Sequence, residues 1–178
     1  MNIRVIGGRY GGRRLVTPSG DKTHPMGERI RNALFNSIGS DIVGKTVLDA
    51  FAGTGAVGIE ALSRGAAQAL FIEKDKTAQE CIWQNMESLG IIDGSLVRAT
   101  VRSWLDTYHG ASFDIIFADP PYHDTQRATL QALLQLLKPS GTLVLSWPET
   151  QPAPVFNGAD IYFERAYAGA RIIMYKMQ

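Results

Sequence analysis

One cysteine, three histidines and no long apolar run mark what this 178-residue chain lacks. Cys81 has no second cysteine to pair with, so the fold has no internal disulfide, which suits a reducing compartment. Its neighbours, "QECIWQN", read as helix, which makes it a packed thiol rather than a nucleophile. His24, His109 and His123 are scattered and show no metal-ligand spacing. Each reads as a surface or loop residue, and no metal is expected. No stretch approaches the ~18 apolar residues of a membrane span. The opening "MNIRVIGG" also lacks the apolar core of a secretory signal. The expectation is a cytoplasmic protein with no membrane contact, of a length that fits one domain.

Charge of one sign is missing only on average. The net charge of +1 conceals a basic start, since residues 1–31 carry seven Lys/Arg against two acidic residues. The remainder carries 11 basic against 15 acidic residues. A basic segment on a mildly acidic body points to an arm that meets a polyanion, or to a solvated tail.

The body has a regular pattern. "TVLDAF", "QALFIEKD", "GSLVRAT", "FDIIFADPPY" and "GTLVLSW" read as strands. Between them run the helical segments "AVGIEALSRGA", "KTAQECIWQNMESLG", a short turn through Trp104 and Leu105, and "RATLQALLQLLKPSG". Alternating units of this kind predict an α/β, Rossmann-like parallel sheet with helices on both faces. The tail "DIYFERAYAGARIIMYKM" departs from it and reads as a hairpin turning near Gly169. At the other end, "RVIGGRYGGRRLVT" reads as a small hairpin or extended arm. "GERIRNALFNSI" reads as a helix after Pro25, with Ile30, Ala33, Leu34 and Ile38 on its apolar face. Residues 1–40 are therefore expected to form a basic hairpin and helix, and residues 41–178 the α/β body.

"AGTGAVG", residues 52–58, places Gly53, Gly55 and Gly58 at the G-x-G-x-x-G spacing of a nucleotide loop. Ligands of such sheets lie outside the carboxyl ends of the strands. Glu73, at the end of the second strand, is placed to accept both hydroxyls of a ribose. That much serves NAD and an adenosyl cofactor alike. Asp49 separates them. A carboxylate ~4 Å from a pyrophosphate costs on the order of 4 kcal/mol, whereas S-adenosylmethionine presents an ammonium and a sulfonium. Asp49 otherwise reads as a cap for a turn or for the following helix.

"ADPPY", residues 118–122, ends the fourth strand. Two consecutive prolines have fixed φ and no N–H, so they hold the Pro120 carbonyl in one direction. The Asp119 carboxylate and this carbonyl form two acceptors beside the ring of Tyr122, with Pro121 between. The set suits a planar amino group on an aromatic base: both N–H groups find acceptors and the ring stacks on Tyr122. The plainer reading is a tight turn after a strand.

Together these segments resemble a class I S-adenosylmethionine-dependent methyltransferase, and more narrowly the RsmD family of 16S ribosomal RNA guanine-N2 methyltransferases. The resemblance rests on "RVIGGRYGGRRL", "HPMGERIRNALFNSI", "VLDAFAGTGAVGIEALSRGA", "FIEKD" and "ADPPY". It implies a seven-stranded sheet in the order 3-2-1-4-5-7-6, counted from "TVLDAF", with strand seven antiparallel. It places the cofactor on Asp49, Gly53, Gly55, Glu73, Lys74 and Asp119. The target amine falls to Asp119–Tyr122, and 16S ribosomal RNA, in a small subunit or its assembly intermediate, to Arg9, Arg13, Arg14, Arg29 and Arg31. A monomer is expected. His24-Pro25-Met26 stands where the family usually reads Arg-Pro-Thr, and Asn32 where a glutamate is common. The acidic residue that often receives adenine after strand three is absent from "ATV", leaving Thr100 or a backbone N–H as its substitute. Other amino acceptors remain open, namely adenine N6 of DNA or RNA and a protein glutamine. An NAD-dependent oxidoreductase and a catalytically silent RNA-binding protein are the readings of other classes.

Overall fold

The computed structural model describes residues 3–18, 26–167 and 169–178. Lys22, His24 and Pro25 lie outside the described residues. Two short strands, β1 (Ile3–Arg4) and β2 (Arg14–Leu15), pair antiparallel around a 3-10 turn at Gly8–Tyr10, as the paired glycines suggested. α1 (Glu28–Ile38) follows and ends at Gly39, whose φ of 60° suits a residue without a side chain.

The body then runs β3 (Thr46–Asp49), α2 (Ala56–Ser63), β4 (Gln68–Glu73), α3 (Lys76–Leu89), β5 (Gly94–Arg98), α4 (Val101–Leu105) and β6 (Phe113–Ala118). It closes with α5 (Arg127–Leu134), β7 (Leu137–Pro148), β8 (Ala159–Tyr167) and β9 (Ala170–Met177). The sheet order is β5-β4-β3-β6-β7-β9-β8, with β9 antiparallel to both neighbours. Counted from β3, this is 3-2-1-4-5-7-6, and the terminal hairpin is β8–β9 turning at Gly169.

Both faces of the sheet are buried, and strand parity divides them. Val47, Ile115, Phe117, Val144, Ile172 and Met174 point to a core shared with α1, α2 and α3. Leu48, Ile116, Leu143, Leu145, Ile173 and Tyr175 point to a second core under α4 and α5. Continuous apolar runs, rather than alternation, follow from this two-sided burial. Ile3, Val5 and Leu15 of the hairpin and Leu34 and Phe35 of α1 belong to the first core, so the amino-terminal elements share it with the body.

One junction differs from the reading of "RATLQALLQLLKPSG" as a single helix. α5 stops at Leu134 and β7 begins at Leu137, which pairs with Phe113. The register then jumps to Thr142↔Ile115, the intervening loop passing through Ser140 at φ 60°. The leucine pairs suit either structure; Leu136 lies in the turn and Leu137 enters the sheet.

The hairpin is held to the body by polar groups with no water to replace them. Glu60 of α2, fully buried, accepts from the backbone N–H of Ile6 at 2.7 Å and of Gly7 at 3.0 Å. It also pairs with Arg64 at 2.7 Å and with the equally buried Arg31 at 3.8 Å. Arg31 in turn donates to the carbonyls of Arg4 at 2.5 Å and Met26 at 3.2 Å. Arg64 also reaches Asn32 and lies over the ring of Phe35. Nearby, Ser63 donates to the carbonyl of Gly7 and accepts from Tyr10 N–H. Gly8, at φ 76°, passes so close that a Cβ there would lie 1.9 Å from the Ser63 carbonyl oxygen.

Removing one member of a buried ion pair leaves the other charge uncompensated. Glu60→Ala is therefore expected to cost about 3–5 kcal/mol in urea unfolding and to unprotect the Ile6 and Gly7 amides in hydrogen exchange. A loss under about 1 kcal/mol, the worth of an exposed pair, would contradict this account of the hub.

Candidate active site

Three adjacent parallel strands, β4, β3 and β6, bring their carboxyl ends together, with Asp49 in register with Phe71 on one side and Phe117 on the other. Each tip carries an acid: Asp49 ends β3, Glu73 ends β4, and Asp119 follows β6. They open on one cleft of about 1490 Å³. Of the residues singled out from the sequence, Asp49, Gly53, Glu73, Lys74, Thr100, Asp119, Pro120, Pro121 and Tyr122 line it. Pro18, Met26, Gly27 and Ile30 add a wall from the amino-terminal region.

The glycine loop turns at Gly53 (φ 52°) and Gly55 (φ 75°), where residues with side chains would be strained. Gly55 does not line the cleft. It is the left-handed N-cap of α2, packed against Ile82, so its part is to aim the loop. Gly58 sits where a Cβ would meet the Phe71 ring at 2.3 Å, which keeps α2 close to β4. Asp49 is buried and accepts the Gly58 N–H at 2.9 Å through one oxygen. It caps α2 and also lines the cleft. Glu73 is held by the N–H groups of Gly53 and Asp75, each at 2.7 Å. Thr100 uses its hydroxyl to cap α4 at the Ser103 N–H, 3.1 Å away.

In the "DPPY" loop, all peptide bonds are trans, and the Pro121 carbonyl accepts the Asp124 N–H at 2.9 Å. Among the described residues no backbone N–H claims the Pro120 carbonyl. The Tyr122 hydroxyl meets that of Ser146 on β7 at 2.9 Å, fixing the ring while it stays exposed at the cleft mouth.

The electrostatics of the cleft are one-sided. Burial, with a smaller push from Asp119 and Glu73, raises the Asp49 carboxyl to about 7, against the pull of the Gly58 N–H. Burial likewise raises Asp119 to about 6, partly offset by a hydrogen bond from Ser146. The Tyr122 phenol is also pushed up by burial. Among the described residues no lysine or arginine forms an ion pair with Asp49, Glu73 or Asp119. A cationic ligand fits such a site, and a pyrophosphate does not.

The five arginines assigned to RNA do not share one fate. Arg9, Arg13, Arg14 and Arg29 are exposed. Arg31 is fully buried in the pair with Glu60, and burial lowers its pKa, so its assignment to RNA is corrected to a structural one. Helical phase carried the signal, because Arg31 shares a face with Leu34, Phe35 and Ile38. Glu60, Ser146 and Asn85 went unread. Asn85, fully buried, accepts the Val16 N–H at 2.7 Å and donates to the carbonyls of Val16 at 3.0 Å and Thr54 at 3.4 Å. It ties the arm to the glycine loop. Only Glu60, a lone acid in an apolar helix, announced itself in the sequence.

Known proteins agree with this geometry. A family model described as conserved hypothetical protein 95 matches residues 3–176. The ribosomal RNA small subunit methyltransferase D of Escherichia coli K12 is 38% identical over 141 residues, 79% of this chain and 69% of its own length. The protein of that name from Haemophilus influenzae is 31% identical over 84% of this chain and 81% of its own. The solved structure of yhhF from Escherichia coli superposes with a TM-score of 0.90 at 30% identity, covering 100% of this chain and 99% of that one. The family model, which spans nearly the whole chain, and these relatives make the chain a member of the RsmD family of ribosomal RNA methyltransferases.

Proposed function

We propose that this methyltransferase uses S-adenosylmethionine and methylates the exocyclic N2 amine of a guanine in 16S ribosomal RNA, acting as a cytoplasmic monomer on the small subunit or its assembly intermediate. The observation that carries the reading is the meeting of three carboxylates, none of them in an ion pair among the described residues, and the Asp119–Tyr122 loop in one cleft. The relatives named for small-subunit ribosomal RNA support the substrate class. Among the described residues no helix is long and apolar enough to cross a membrane.

Asp49 and Glu73 would hold the donor, Asp49 facing its positive charge and Glu73 its ribose, with Gly53 allowing close backbone approach. When bound, the donor supplies an activated methyl group on a sulfonium. Asp119 and the Pro120 carbonyl accept the two N–H groups of the target amine while Tyr122 stacks on its ring. These bonds draw the nitrogen lone pair out of conjugation. As the new N–C bond would form and the donor's S–C bond break, leaving a neutral thioether, the positive charge would pass to the nitrogen, where Asp119 faces it. The surplus amine proton passes to the Asp119 carboxylate, whose raised affinity for protons suits a base near neutrality, and from there to water. Positioning does the rest of the catalysis.

Asp119→Ala is expected to lower kcat by about 100-fold or more while shifting the donor Kd by less than about threefold. Single-turnover methyl transfer beside calorimetry separates the two, and comparable losses in both would contradict the assigned role.

Protonated Asp49 and Asp119 lose the charge that attracts a cation and accept N–H bonds only weakly, so kcat/KM should fall as pH drops through about 7 to about 6. The ligand-free fold should respond oppositely. A carboxyl whose folded pKa is raised binds its proton more tightly when folded, so stability falls as pH rises from 3.8 towards about 7. Asp49→Asn keeps an acceptor for Gly58, so at pH 8 it should stabilise the ligand-free protein by roughly 2 kcal/mol. It should also weaken the donor by about tenfold or more, roughly the worth of one charge-assisted contact. Thermal melts with and without donor test both signs.

Replacing Arg13 and Arg14 by Gln should reduce the slope of log K against log salt for purified small-subunit ribosomal RNA by about 1.5, near 0.7–0.9 per phosphate contact. An unchanged slope would leave the arm a solvated tail.

A further inference from the structure

Away from the cleft, Arg4, Arg31, Lys45, Arg64, Lys138 and Arg171 pair with a carboxylate, and the arm's Arg9, Arg13 and Arg14 stand exposed. Lys74, Arg102 and Arg127 line the cleft, are exposed, and form no ion pair with any described residue. Arg102 and Arg127 stand on one side of the mouth, on α4 and α5, which pack over the same core through Val101, Trp104, Leu130 and Leu133. The basic arm and α1 lie over the opposite face of the sheet.

Arg127 is built in with some care. Its guanidinium lies 5.3 Å from the ring centre of Trp147, which is fully buried and anchored through its indole N–H to the Pro152 carbonyl at 3.1 Å. The residue before it, Gln126, has the left-handed backbone φ 48°, ψ 46° without being glycine and caps α5 with no side-chain bond. Strain of this kind persists where surrounding structure imposes it and gathers at functional sites. Here it turns the chain directly from the "DPPY" loop into α5, setting Arg127 on the rim. Neither Asp119 nor Asp124, the acids of that loop, forms an ion pair with Arg127. A planar guanidinium, stacked and unpaired, suits a phosphate.

We propose that Arg102 and Arg127 form a second phosphate-contacting lip, so that the substrate RNA strand straddles the cleft between this lip and the amino-terminal arm. The proposal rests on the reading of the substrate as RNA. Two anchors on opposite sides hold the backbone while the target base enters between them. Neither lip needs to read sequence, because phosphate contacts position rather than specify.

The test is salt-dependent binding of purified small-subunit ribosomal RNA by the full chain, with donor affinity measured alongside. The double variant Arg102→Gln/Arg127→Gln should lower RNA affinity about tenfold and reduce the salt slope by about 1.5, with donor Kd unchanged. Arg127→Lys, which keeps the charge and loses the planar stack, should preserve the slope and lose part of the affinity. An unchanged slope in the double variant, or a donor Kd weakened as much as RNA binding, overturns the lip. Absence of salt-dependent RNA binding by the unaltered chain overturns the RNA reading itself, and the lip with it.

Discussion

Uncompensated negative charge at three neighbouring strand tips is the constraint on which the rest of this structure depends. Parallel pairing of β4, β3 and β6 leaves Asp49, Glu73 and Asp119 no way to avoid one another. Burial makes the ionised forms of Asp49 and Asp119 costly, and repulsion from the neighbouring acids adds to it at Asp49. Among the described residues no lysine or arginine pairs directly with them to offset that cost. A fold that tolerates such a site is prepared for a positively charged guest, and its ligand-free state is correspondingly less stable than it might be.

The same cleft has a positive border. Its interior is acidic, while exposed and unpaired cations stand around its mouth and on the arm. This arrangement sorts two ligands of opposite charge that must meet at one place. A cation is drawn to the floor and a polyanion to the rim, each disfavoured where the other belongs. Glu60 and Asn85 make the division durable, because they fix the hairpin to the helices that carry the glycine loop. Arm and loop are therefore parts of one rigid construction.

Much of this was legible in the residues, and the limits have physical causes. Alternating apolar strands and helices predict the layered sheet because each element's period is local. The order of strands, by contrast, came from the resemblance, since pairing is not written in any one segment. The meeting of Asp49, Glu73 and Asp119–Tyr122 in one cleft was readable because all three stretches end neighbouring parallel strands. Arg31 was misread because charge was weighed before helical phase. The contacts of Glu60 and Asn85 span 54 and 69 residues, beyond the reach of any local pattern. The early end of α5 was lost in leucines that suit a helix and a strand equally.

Asn85 offers Val16 an N–H acceptor and a carbonyl donor, the two bonds that a neighbouring strand would supply. Recognition of the arm at that point is thus indifferent to which side chain residue 16 carries. Substitutions can accumulate there across generations with little penalty, whereas the amide that grips the backbone has no equivalent among the other amino acids at that reach. Variation along the arm and invariance beneath it are what selection should leave behind.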